Sequence, residues 1–197
     1  MSADEALLKL KTGNDRFCAG NPRFSPVQKE VLANLAKGQQ PYATILSCSD
    51  SRVPPELIFD VGFGEIFAVR VAGNVLSPEI AGSMQYAFEH LRTPLFLVLG
   101  HIGCGAVNAA LDARLRGARQ VSRIQILVDN ILAGLDSVEL KLDPEARHAQ
   151  AVEANVRWSI RQIRETPEGR HYKAEGRAKL VGAVYEIETG RVRFLDD

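Results

Sequence analysis

An α/β fold, an open and mostly parallel β-sheet flanked by helices, is predicted for this chain by three observations. Short apolar runs alternate with helix-forming segments from residue 42 onward. That order implies right-handed βαβ crossovers and a parallel sheet. The run Leu95-Phe96-Leu97-Val98-Leu99 is apolar at every position, as in strands covered by helices on both faces. Helix starts recur as Ser-Pro or Asp-Pro pairs, at Ser25-Pro26, Ser77-Pro78 and Asp143-Pro144, where a capping side chain precedes a proline in the first turn.

Residues Ala3 to Phe17 read as a helix with Ala6, Leu7, Leu10 and Phe17 as apolar points. Cys18 ends it and reads as a small buried hydrophobe. Ser25-Pro26-Val27-Gln28 starts a second helix, with Gln28 in the capping-box position. It carries Val31, Leu32, Leu35 and Ala36 and stops at Gly38. Residues 1–40 thus form a helical arm ahead of the first strand. The arm is expected to pack on a partner subunit; folding back on its own domain is the alternative.

Tyr42 to Ser47 is the first strand, and Pro54 to Phe59 a short helix. Ile66 to Val71 is the second strand, and a helix runs from Ser77-Pro78-Glu79 to about Leu91. Leu95 to Leu99 is the third strand, followed by a helix after Gly105 with Ala106, Val107, Ala110 and Leu111 inward. Val121 to Leu135 and Pro144 to Glu165 are further helices. Trp158 reads as core or interface. Leu180 to Ile187 and Arg191 to Leu195 flank Glu188-Thr189-Gly190 and close the fold with a terminal strand or hairpin, its last strand antiparallel.

With 197 residues, the chain reads as one domain, 1–197, large enough for a well-buried core. Lys plus Arg and Asp plus Glu each number 24, so the formal net charge is zero. A nucleic-acid or anionic-membrane partner is not expected. The start Met1-Ser2-Ala3-Asp4-Glu5 is acidic and lacks an apolar signal core. No stretch approaches the ~20 apolar residues of a membrane span, and a cytoplasmic location is expected. Three cysteines are too few and too odd for a disulfide framework, so Cys48 and Cys104 stay available as ligands.

Cys48 follows the strand Tyr42–Ser47, and His101 follows Leu95–Gly100, with Cys104 three residues on. In open parallel sheets, sites form outside the carboxyl ends of the strands. A lone Cys or a lone His means little. Two thiolates and an imidazole at neighbouring strand ends make a catalytic-type zinc site, with a fourth position left for water. A helix N-terminus after Cys104 favours its thiolate. Asp50 and Arg52 are two apart. An Arg fork can hold a carboxylate bidentately and keep it ionised, ready to orient zinc-bound hydroxide. Released from Arg52, Asp50 could instead ligate the zinc and block it. With two thiolates and a neutral imidazole the zinc is formally neutral. Its water is acidified less than in a three-His site, where the pKa falls to ~7, so activity is expected to rise on the alkaline side.

These residues resemble the β class of carbonic anhydrases. Cys48-Ser-Asp-Ser-Arg52-Val-Pro, Phe67-Ala-Val-Arg70-Val-Ala-Gly-Asn74 and Gly100-His101-Ile-Gly-Cys104-Gly105-Ala stand in family order and spacing. The resemblance is close from Gly38 to Val107 and looser in the flanking helices. It implies one Zn²⁺ per chain on Cys48, His101 and Cys104, a catalytic dyad of Asp50 and Arg52, and reversible hydration of carbon dioxide to bicarbonate and a proton. It implies that Gln39 hydrogen-bonds substrate, as in the plant-type branch, and that the Gly105 amide lies near substrate. Phe67, Ala72 and Tyr86 match apolar wall positions, which the family shares across a dimer interface; a homodimer or homotetramer follows. Ala72 is smaller than the valine often found there. A regulated branch has Trp where Ile45 stands, completing a non-catalytic bicarbonate site with an arginine matched by Arg70. The Ile favours the form with water as fourth ligand and Asp50 free. His90 is either a proton shuttle or an ordinary histidine near a helix end.

Three rival readings remain open. One is hydrolysis of another linear triatomic, such as carbon disulfide, on the same scaffold. Another is a structural-zinc or regulatory module, which requires a fourth protein ligand and leaves Asp50–Arg52 and Gln39 without a role. The last is a cysteine-nucleophile phosphatase or sulfurtransferase using Cys48 and Arg52, which makes His101 and Cys104 coincidence.

Overall fold

Strand β3 (Leu95–His101) is buried at all seven positions and sets the frame of the fold. In this computed structural model, which describes residues 1–23 and 29–196, five strands form one sheet in the order β2-β1-β3-β4-β5. β1 (Ala43–Ser47), likewise buried throughout, runs parallel to β2 (Ile66–Arg70) on one side and to β3 on the other. β4 (Lys179–Tyr185) is parallel to β3, and β5 (Val192–Phe194) is antiparallel to β4. The expected α/β sheet with a C-terminal antiparallel strand is therefore present.

The two-residue period of β3 divides the core. Leu95, Leu97 and Leu99 join Leu10, Ile45, Ile58 and Phe59 on one face. Phe96 and Val98 join Val107, Leu111, Ile131, Val152 and Val156 on the other. On the first face lie α1 (Ala3–Cys18) and α3 (Pro55–Ile58). α1 starts with a complete capping box: Ser2 Oγ accepts from Glu5 N–H, and Glu5 accepts from Ser2 N–H. Buried Asn14 ties it down, donating to the carbonyls of Ile58 and Gly190 and accepting from Val192 N–H. Cys18 is only half-buried, with its sulfur 3.8 Å from Asn14 Oδ1, so the buried-hydrophobe reading is corrected: its neighbour is polar. α2 (Lys29–Leu35) buries no residue. The helix start at Ser25–Gln28 falls outside the described residues.

The other face is covered by α4 (Pro78–Tyr86), α5 (Gly105–Arg116), α6 (Arg123–Leu132) and α7 (Pro144–Glu165). α4 does not run evenly to Leu91 as predicted. It widens to a π turn over Ala87–Leu91 and ends at Arg92 in the left-handed region. α6 starts at Arg123 rather than Val121, because Ser122 takes φ +50° and leaves Val121 exposed. α8 (Pro167–Glu175) was not predicted. Thr166 caps it, accepting from Gly169 N–H, but its sequence offers too few apolar residues to show a face. Trp158 is half-buried on α7 and donates to Asn130 O.

α7 can lie this close to β3 because Gly100 has no side chain. A Cβ there would sit 2.5 Å from Val156 Cγ2 and 3.2 Å from Val152 Cγ1. Both neighbours are β-branched and stiff. Gly100→Ala is expected to cost about 1–3 kcal/mol through overpacking, read as a lower midpoint in urea with an unchanged slope.

Candidate active site

From the carboxyl end of β1 the chain leads to β2 on one side, and from that of its neighbour β3 it leads to β4 on the other. The crevice at such a switch point is where α/β sheets bind ligands. Cys48 is the first residue past β1, and His101 is the last of β3. Cys104 follows after a turn and caps α5.

The two sulfurs and the His101 ring nitrogen all lie within 4.8 Å of one another, and all three residues are buried. Zinc bonds of ~2.3 Å to sulfur and ~2.0 Å to nitrogen suit donors set that close. The ring nitrogen Nδ1 of His101 is 3.1 Å from Ile102 O. That contact places the proton on Nδ1 and turns the lone pair of Nε2 inward. Nε2 is buried and, among the described residues, has no nitrogen or oxygen hydrogen-bond partner. An orphaned buried nitrogen costs about 1–3 kcal/mol, a cost that a metal at Nε2 removes. The donor set therefore fits zinc.

Backbone amides prepare the sulfurs. Cys48 Sγ accepts from Gly73 N–H at 3.3 Å and Asp50 N–H at 3.4 Å. The amides of Val107 and Ala106, in the first turn of α5, face Cys104. The hydrogen bond from Cys104 is the largest influence holding Cys48 as the thiolate, and that same bond pushes Cys104 up.

Beside this group, Arg52 grips Asp50 with a fork. Nε donates to Oδ1 at 2.9 Å and Nη2 to Oδ2 at 2.8 Å, and the Arg52 amide adds a bond to Oδ1 at 3.0 Å. The Arg52 side chain holds the Asp50 carboxyl well below the usual carboxylate range, against the opposing effect of burial. Asp50 Oδ2 is 3.9 Å from His101 Nε2, beside the ligand group and engaged with Arg52. Arg70 braces the same turn, donating to Cys48 O at 3.1 Å and Asp50 O at 2.7 Å. That role was not read from the sequence, since its targets are backbone carbonyls and no spacing marks them.

Among the proposed pocket residues, Gly105 opens α5 directly after Cys104, and Ala72 adjoins the Gly73 amide. Gln39, Phe67 and Tyr86 are not brought to this site within one chain. Gln39 precedes β1, at the strand end opposite Cys48. Phe67 is the second residue of β2, with the Tyr86 ring 6.2 Å away and His90 5.0 Å beyond that.

A sequence model of the family described as "Carbonic anhydrase" matches residues 43–192. The chain belongs to the β-class carbonic anhydrases. It is 38% identical over 192 residues to "Carbonic anhydrase 2" of Mycobacterium tuberculosis, covering 95% of this chain and 90% of that one. The carbonic anhydrase of Mycolicibacterium smegmatis is 37% identical over 193 residues, covering 94% and 89%. Among solved structures, the β-carbonic anhydrase CcaA superposes with a TM-score of 0.76 at 27% identity, over 98% of this chain and 92% of that one. A Coccomyxa β-carbonic anhydrase, solved with acetazolamide, gives 0.77 at 25% identity over 96% and 84%. This carbonic anhydrase therefore carries the fold of its class and, at the expected strand ends, a Cys-His-Cys group able to hold a metal. Among the described residues, no helix is long and apolar enough to cross a membrane.

Proposed function

We propose that the chain hydrates carbon dioxide reversibly with one Zn²⁺ held by Cys48, His101 and Cys104, and with Asp50 and Arg52 as its catalytic dyad. The observation that carries this reading is the two-oxygen grip of Arg52 on Asp50, 3.9 Å from His101 Nε2. When bound, zinc supplies the nucleophile by lowering the pKa of water. Asp50 would accept a hydrogen bond from that nucleophile and so orient it. Arg52 would keep the carboxylate ionised and turned toward the guanidinium. The Gly105 amide, in the first turn of α5, favours the negative charge that develops on substrate oxygens. A structural-zinc role fits less well, because the candidate group has three members and the adjacent carboxylate is engaged elsewhere.

The substrate wall is proposed to be completed by a second copy. Phe67 lies on edge strand β2, and Tyr86 is 47% exposed beside it. Gln39 and His90 line a groove with Val31, Leu35 and Phe63. Val31, Leu32 and Phe63 leave large apolar surface uncovered in the single chain. A two-fold dimer would lend Gln39, Phe67 and Tyr86 of one copy to the zinc of the other. Solved relatives of this fold from Sordaria macrospora are described as tetrameric. Residues 1–197 are proposed as one domain, with α2 rather than α1 as the partner-facing part of the arm. The free thiols fit a reducing compartment, and the cytoplasm is proposed.

Rapid-mixing assays of purified protein, with carbon disulfide consumption measured alongside, test the reaction. Carbon dioxide hydration rising from mildly acidic to alkaline pH is expected; a flat profile would refute the neutral-zinc argument. Subunit mixing tests the composite wall. Chains bearing Gln39→Ala and chains bearing Asp50→Asn, each weakly active alone, are expected to recover roughly a quarter of the wild-type rate when randomly mixed. No recovery despite confirmed exchange would confine each site to one chain.

A further inference from the structure

α7 packs on the sheet through Ala151, Val152 and Val156, yet places polar side chains along the same face at 148, 155 and 159. Intervals of seven and eleven residues keep these on one stripe. His148 Nε2 accepts a hydrogen bond from Gly103 N–H at 2.9 Å. Gly103 stands between two ligand residues, and its carbonyl lies 3.4 Å from Arg52 Nη2. One helical turn pair along, Asn155 Nδ2 donates to Gly73 O at 2.8 Å. Gly73 N–H in turn donates to Cys48 Sγ. Two relays thus leave one helix and end at different groups, the dyad guanidinium and a ligand sulfur.

We propose that His148 and Asn155 are positioning residues with separable effects: His148 aligns Arg52 through Gly103, and Asn155 sets the Cys48 sulfur through Gly73. The proposal rests on the Asp50–Arg52 reading above. Both relays pass through a glycine at positive φ, +78° at Gly103 and +68° at Gly73. Glycine has the widest choice of φ and ψ, so the backbone of neither residue, with a peptide plane on each side, is oriented by its own sterics. Bonds at both ends must fix it. For Gly103 these are His148 at the amide and Arg52 at the carbonyl; for Gly73, Cys48 at the amide and Asn155 at the carbonyl. His148 can accept at Nε2 only with its proton on Nδ1. That atom is buried and has no hydrogen-bond partner among the described residues. A buried orphan donor weakens a fold, so this histidine is poorly explained by stability. Burial also disfavours its charged form, which preserves the acceptor.

The test uses the zinc-loaded full chain and measures kcat and KM per bound zinc together with the zinc dissociation constant by chelator competition. His148→Leu is expected to lower kcat about tenfold or more, with KM and zinc affinity little changed. His148→Gln, whose Oε1 can replace Nε2, is expected to stay within about threefold of wild type throughout. Asn155→Leu is expected to weaken zinc binding about tenfold or more while kcat per bound zinc holds. His148→Asn, whose oxygen falls short of Gly103, carries the Leu expectation should Leu not fold. Equal losses of affinity and kcat in both sets of variants, or a Gln variant as slow as Leu, would overturn the proposal. Asp50→Asn separates the two readings. Full activity there refutes the dyad, whereas loss there with full activity in His148→Leu refutes the relay.

Discussion

Cys48→Ala and His101→Ala are each expected to lose stoichiometric zinc and, with it, all measurable hydration. The three donors lie within 4.8 Å of one another and are buried, and the adjacent carboxylate, Asp50, is held by Arg52 at both oxygens. Removing His101 also removes the lone pair aimed into the site, and removing Cys48 strips the Gly73 and Asp50 amides of their acceptor. Zinc that binds only the native state at a hundredfold excess over its Kd adds about 2.7 kcal/mol. For a chain of this length each kcal/mol moves Tm by roughly 2–4 °C. Chelation should therefore lower the wild-type Tm by several degrees and leave both variants unmoved. Elemental analysis and thermal melts with and without chelator check this. One zinc per folded Cys48→Ala chain would remove that thiolate from the ligand set.

The parts of this architecture that were legible are those governed by local pattern. The apolar run at 95–99 and the Cys and His at strand ends placed the metal group at the carboxyl edge of the sheet. The two-residue spacing of Asp50 and Arg52 suggested the pairing that is present as a fork, and the resemblance added its expected catalytic role. What stayed hidden depends on partners distant in sequence. Arg70 acts on two backbone carbonyls 22 and 20 residues away, which no spacing announces. His148 and Asn155 left one trace, polar residues on the apolar stripe of α7, and that trace has an ordinary reading as solvated positions. The start of α6 turned on the backbone of Ser122, and α8 on a cap without an apolar face. Gln39, Phe67 and Tyr86 show the opposite case. The resemblance implied that they are pocket residues, while one chain holds them away from the Cys48–His101–Cys104 group. Sequence motifs record a site's membership. They do not record which copy of the chain each member serves.

Asp50→Asn is expected to keep one zinc per chain and lose about a hundredfold or more in kcat, the scale of a positioned proton-accepting group. The substitution preserves shape and replaces none of the three candidate metal ligands. It exchanges one acceptor oxygen for an amide that donates. Arg52 presents only donors, so its Nε and Nη2 can no longer both be met. Asn loses one arm of the fork whether its amide nitrogen takes the place of Oδ1 or of Oδ2. In both cases the lone pair of the nucleophile loses its fixed direction. KM should change little, because carbon dioxide is neutral and the wall proposed for it is largely apolar. Arg52→Lys separates charge from geometry: it keeps the positive charge and loses the planar two-point grip. A smaller loss of kcat than in Asp50→Asn is expected if ionisation of Asp50 matters most, and an equal loss if its orientation does. An Asp50→Asn enzyme with wild-type kcat and full zinc would leave the carboxylate a structural partner of Arg52 and place the chemistry on the metal alone.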